Sequence, residues 1–93
     1  MNVKIVKMIS GEELIGDYDE KTNVIVNPVV MIPVSKEQIA FQPWLPYSED
    51  KEFALKETAI NIVANPSTTI VNEYNRIYGS GIVMPTDTGG LIS

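Results

Sequence analysis

Residues 6–27 read VKMISGEELIGDYDEKTNVIVN, and the fold turns on this stretch. Three short apolar runs are joined by two turns, one at Gly11 and one across Asp19-Glu20-Lys21-Thr22-Asn23. Gly16 falls inside the second run. A strand gains no packing from glycine, so an interior glycine marks a bulge or a sharp bend. Two such points within one three-strand meander predict a sheet that curls tightly, as a small barrel must.

Working outward, residues 2–9 read as strand one, with Val3, Ile5 and Ile9 toward one side and Val6 and Met8 toward the other. Ser10-Gly11-Glu12 is a hairpin turn, and residues 13–19 are strand two. Residues 22–34 form a long β-branched third strand. Pro28 and Pro33 lack an N–H and need bulge or edge positions within it. After a turn at residues 36–38, a fourth strand starts at Ile39-Ala40-Phe41-Gln42 and runs into the stiff, aromatic Pro43-Trp44-Leu45-Pro46-Tyr47. The charged residues 48–52 are solvated, and Phe53-Ala54-Leu55 resumes the apolar alternation. Lys56-Glu57-Thr58 turns the chain into a fifth strand, residues 59–64, with Ile60 and Ile62 on one face.

The apolar period then changes. Asn65-Pro66-Ser67 supplies a cap and a proline suited to a first helical turn. Ile70, Val71, Tyr74, Ile77 and Tyr78 make one stripe on a helix over residues 66–78. That stripe packs on its own barrel, with Tyr78 in reach of a neighbouring subunit. Gly79 is expected to stop the helix in the left-handed conformation. Ile82-Val83-Met84 reads as a short extra strand and residues 85–93 as a loose tail. The expectation is one domain across residues 1–93: mainly β, a small, strongly bent five-stranded barrel over residues 2–64, and a C-terminal α-helix.

The 93 residues suffice for one domain and are too few for two. The chain has neither Cys nor His, which removes thiolate nucleophiles, disulfides, the commonest metal ligand and the commonest general base. No enzyme activity, cofactor or metal is expected. No run reaches the length of a membrane span, and MNVKIVKM lacks a signal-peptide core, so a cytoplasmic protein with no membrane partner is expected. With 12 acidic and 7 basic side chains the charge is −5, which opposes non-specific nucleic-acid binding. Any such binding needs a local site.

The order Gly11, Gly16, Asp19, Asn23, then Val24-Ile25-Val26, resembles the first sequence motif of the Sm-like proteins. Those are bent five-stranded, SH3-like barrels that assemble into rings around single-stranded RNA. Leu55-Lys56-Glu57 lies where that family has an apolar residue, Arg and Gly. FQPWLPYSEDKEF and the ending YNRIYGSGIV resemble a phage-borne, marine, cyanophage-like group of the family. The chain departs from the family at Lys21, where an aromatic residue or His is common, at Lys56 for Arg and at Glu57 for Gly. The stretch between Gly16 and Asp19 is also shorter than usual.

The resemblance implies a homo-oligomeric ring, a pentamer before a hexamer or heptamer, in which strand four of one subunit pairs with strand five of the next. It implies a pore where Asn23 reads a base edge, Asp19 orients Asn23, and Lys21 and Lys56 meet the base or its phosphate. Lysine offers no flat guanidinium, so weak binding with poor base selectivity is expected. Asp and Asn also cap turns unaided, so a turn alone explains Asp19 and Asn23 as well. Trp44 and Tyr47 suit base stacking, but such residues more often cover a barrel mouth or a subunit contact. Glu12-Glu13 and Glu49-Asp50 read as solvated charge, and Gly79-Ser80-Gly81 follows a helix and so is no phosphate loop. Two functions compete: nucleic-acid processing, as RNA or single-stranded DNA binding by the ring within the host cell cytoplasm, and an adaptor ring whose acidic surface meets other proteins. Five copies carry −25, so lysines gathered at a common pore favour the first and carboxylates there favour the second.

Overall fold

The computed structural model describes residues 2–36 and 38–79. The expected extra strand at residues 82–84, the tail at 85–93 and most of Gly79-Ser80-Gly81 lie outside them. Six strands form one antiparallel sheet: β1 (Val3–Met8), β2 (Glu13–Asp19), β3 (Val24–Pro33), β4 (Ile39–Pro43), β5 (Glu52–Ala54) and β6 (Ile60–Ala64). A single-turn 3₁₀ helix, Glu57–Ala59, precedes β6, and helix α1 (Thr68–Tyr78) follows it. The strand order is β4-β3-β2-β1-β6, with β5 also on β3. Consecutive hairpins build the meander, and β6 returns to pair with β1. The sheet is not closed: β4 and β6 end it.

The bend sits where glycine predicted it. Ile15 pairs with Val29 but Asp17 pairs with Val26, so Asn27 and Pro28 bulge opposite Gly16. A Cβ on Gly16 would stand 2.7 Å from Ile25 Cγ1 and 3.0 Å from the Val26 carbonyl oxygen. Ile25 is fully buried and has nowhere to go. Asn27 takes φ +50° in this bulge, and Pro28, with no N–H, breaks no ladder bond there.

The alternation of β1 holds: Val6 and Met8 join Leu14, Tyr18, Ile25 and Leu55 in one core, while Val3 packs with Ile15, Val29 and Tyr74 in a second. The first core lies on one face of the sheet, and α1 covers the second. Tyr74 anchors the helix. Its hydroxyl lies 2.9 Å from both the Val26 and the Asn27 carbonyl oxygens, shares its one proton between them, and so ties α1 to the bulge.

Four local expectations need correction. The fourth strand is split into β4 and β5, because Pro43 and Pro46 interrupt the donor row and residues 44–51 loop out between them. Both halves still pair with β3. Ile60 and Ile62 do not share a buried face: a register shift between Lys7 and Met8 turns Ile60 and Val63 onto the core and leaves Ile62 57% exposed. The helix starts at Thr68, with the Ile70 N–H donating to Ser67 Oγ at 3.3 Å, so Pro66 precedes the cap. Gly79 is not left-handed (φ −67°); a side chain there would strike the Asn75 carbonyl.

Gly16→Ala is expected to lower stability by about 1–3 kcal/mol through overpacking against Ile25; an unchanged urea midpoint would contradict the assigned bend. Tyr74 is held well above the ordinary tyrosine value of 10.0, chiefly by burial. A raised folded-state pKa means that stability is complete below pH 10 and falls as the pH climbs above it. Denaturant midpoints should therefore drop above that pH, and Tyr74→Phe, less stable at neutral pH, should show a flatter alkaline decline.

Candidate nucleic-acid interface

The β2–β3 turn is fixed by its own polar groups. The Asn23 N–H donates to the Asp19 carbonyl at 2.8 Å, and the Lys21 N–H donates to Asp19 Oδ1 at 2.9 Å. Asn23 sits at φ +61°, a left-handed position that Asn tolerates better than most residues. Asp19 thus shapes the turn through its carbonyl and carboxylate but makes no side-chain bond to Asn23. The orienter is Tyr18, whose hydroxyl donates to Asn23 Oδ1 at 2.6 Å. With Oδ1 engaged, Asn23 Nδ2 remains as a donor.

The second turn is brought alongside. The Leu55 N–H donates to the Asn23 carbonyl at 2.8 Å, extending the Val24–Ala54 pairing of β3 and β5 by one step. Lys56 and Glu57 follow directly, at the start of the 3₁₀ turn. Asp19, Asn23, Lys21 and Lys56 are therefore held in two adjoining turns. All but the half-buried Asn23 are exposed.

The electrostatics are mixed. Burial raises the Tyr18 pKa, and the charges of Glu20, Glu57 and Asp19 raise it further. Three carboxylates thus flank the two lysines of the turns. Neither lysine has an ion-pair partner among the described residues. Among the described residues no group of three or more Asp or Glu side chains converges as a metal site.

Trp44 and Tyr47 stand apart from this pair of turns. Trp44 Nε1 donates to Glu12 Oε2 at 3.1 Å, in the β1–β2 turn, at the other end of β2 from Asn23. Its ring packs edge-on to Phe53, 5.8 Å between centroids, and covers the first core. Tyr47 is fully exposed in the 45–48 turn. Sequence reasoning missed Tyr18 and Glu57. Tyr18 was legible in principle: it shares the inward register of Leu14 and Gly16, and a buried tyrosine seeks a partner for its hydroxyl.

The family described as "Family of unknown function (DUF6561)" has a sequence model that matches residues 1–79. The chain belongs to that family. The matched segment contains all the strands among the described residues, α1 and both turns of the candidate site. No curated protein matches the chain. No helix among the described residues is long and apolar enough to cross a membrane.

Tyr18→Phe removes the donor to Asn23. A loss of about 0.5–1.5 kcal/mol is expected, with line broadening of the Asn23 side-chain amide in NMR spectra. A sharp, unmoved Asn23 amide would show that Tyr18 does not hold it.

Proposed function

We propose that this is a non-enzymatic, Sm-like ring protein that binds single-stranded nucleic acid at the pore formed by the β2–β3 turn and the turn before β6. The observation that carries the reading is the Leu55–Asn23 backbone hydrogen bond, which holds the turn that carries Asn23 against the turn that carries Lys56. The strand order supports it, because the meander plus a last strand returning to β1 leaves β4 and β6 with open outer edges. Open edges are adhesive unless satisfied, and apolar side chains flank both: Ile39 is 46% and Ile62 57% exposed. Pairing β4 of one copy with β6 of the next closes the curled sheets into a heterologous ring, with a pentamer favoured. In that ring Asn23 Nδ2 contacts a base acceptor, and Lys21 and Lys56 meet phosphate. The host cell cytoplasm is the setting that the phage-like resemblance suggests.

A second reading has its own support. Asp19, Glu20 and Glu57 around Tyr18 place carboxylates at the same two turns, which suits an adaptor ring that meets a basic protein partner.

Light scattering should give a mass about five times the 10.3 kDa of one chain. In gel shifts at low salt, U-rich oligonucleotides should bind, and binding should weaken steeply as salt rises. Asn23→Ala with Lys56→Ala should weaken it by roughly tenfold or more, equivalent to 1.4 kcal/mol or above. A ring that binds no oligonucleotide even at low salt would overturn the nucleic-acid reading and leave the adaptor.

A further inference from the structure

A cavity of about 150 Å³ lies where the β3 bulge, the 43–53 segment and the end of α1 meet. Asn27, Pro28, Leu45, Lys51, Phe53 and Tyr78 line it. Drug-sized ligands occupy pockets of roughly 300–1,000 Å³, so this space suits one planar ring and little more.

Its walls are held from behind. The Phe53 ring is fixed edge-on by Trp44, and the Tyr78 ring lies 5.1 Å from Tyr74, tilted by 36°. Part of the backbone around it is already engaged. Tyr74 engages the Val26 and Asn27 carbonyls, and the Asn27 N–H donates to the Lys51 carbonyl at 2.7 Å. Polar side chains are left for a ligand. Lys51 has no ion pair among the described residues, and the Asn27 amide has no hydrogen bond there. Ser48 Oγ accepts only the Asp50 N–H, so its own hydroxyl proton is free to donate. Flat aromatic and proline surfaces beside an amide, a hydroxyl and a single cation fit a heterocyclic base that carries an anionic group. Asp50, also on the lining, opposes additional negative charge and so favours one phosphate over three.

We propose that this cavity takes the base of one nucleotide, set against the Phe53 and Tyr78 rings, while the ribose lies at the mouth and the phosphate outside meets Nζ of the exposed Lys51. The site lies within one protomer and goes beyond the ring reading. The nucleotide is either free or one unit of a strand, and the two sources are separable by experiment.

The test is a ¹H–¹⁵N titration of the full chain with UMP, AMP, ribose 5-phosphate and inorganic phosphate. A mononucleotide should shift the amides of Asn27, Lys51, Phe53 and Tyr78, with a dissociation constant of roughly 1 mM. Ribose 5-phosphate and phosphate should shift them far less. Lys51→Glu, at an exposed position, should keep the wild-type spectrum and weaken binding at least fivefold. Asn23→Ala with Lys56→Ala should leave the mononucleotide shifts intact, so failure of the pore reading is visible separately. A uridine hexamer that moves the same amides more tightly than UMP identifies a strand as the source; a hexamer that moves them less identifies the free nucleotide. No shift with either mononucleotide at ~10 mM, equal shifts from phosphate alone, or binding indifferent to Lys51→Glu would overturn the proposal.

Discussion

The absence of a side chain at position 16 lets Ile25 lie directly against the β2 backbone. Everything else in the fold is arranged around that approach. Opposite it, β3 carries Asn27 and Pro28 as a bulge, and the bulge changes which face later residues present. Ile25 is fully buried in the first core, while Val29 is fully buried in the second. One strand therefore serves two cores, and α1 is needed to cover the second. Tyr74 joins the two by holding the bulge carbonyls from the helix side.

The same bend positions the chemistry. Tyr18 lies two residues beyond Gly16, with its ring buried and its hydroxyl reaching Asn23. Asn23 in turn receives the Leu55 amide, so the two turns are locked by consecutive hydrogen bonds from a core tyrosine outward. The backbone of the two turns is hydrogen-bonded, while Lys21 and Lys56 are exposed. Under the proposed function, that arrangement suits weak, selectivity-poor recognition, with charge supplied by exposed lysines instead of a flat guanidinium. The accompanying carboxylates temper the field at the same place.

Much of the fold was legible in the sequence where one residue type has one physical use. Gly16 in a strand and Pro28 in a β-branched run each point to one local structure, and each stands where that structure needs it; the Asn65-Pro66-Ser67 run announced the helix, but its cap is Ser67. Less was legible where pairing decides. The β1–β6 register shift that exposes Ile62 leaves no mark in β6 itself, because it arises between Lys7 and Met8. The split of the fourth strand was half visible in its prolines, but that both halves stay on β3 is a tertiary fact. For the candidate site, the spacing of Asp19 and Asn23 gave the turn, while the partner of Asn23 depended on which way Tyr18 faces. Of the two roles open to Trp44, stacking surface or cover for the barrel, the contacts of its indole with Glu12 and Phe53 favour the second.

In the proposed ring, the two open margins of the curled sheet are satisfied by other copies of the chain. Hydrogen exchange at the amides of β6 that do not bond to β1 tests this most directly, measured across a dilution series. Strong protection at high concentration that disappears on dilution, in step with loss of mass, is the predicted result. Exchange at the unprotected rate at every concentration would contradict it.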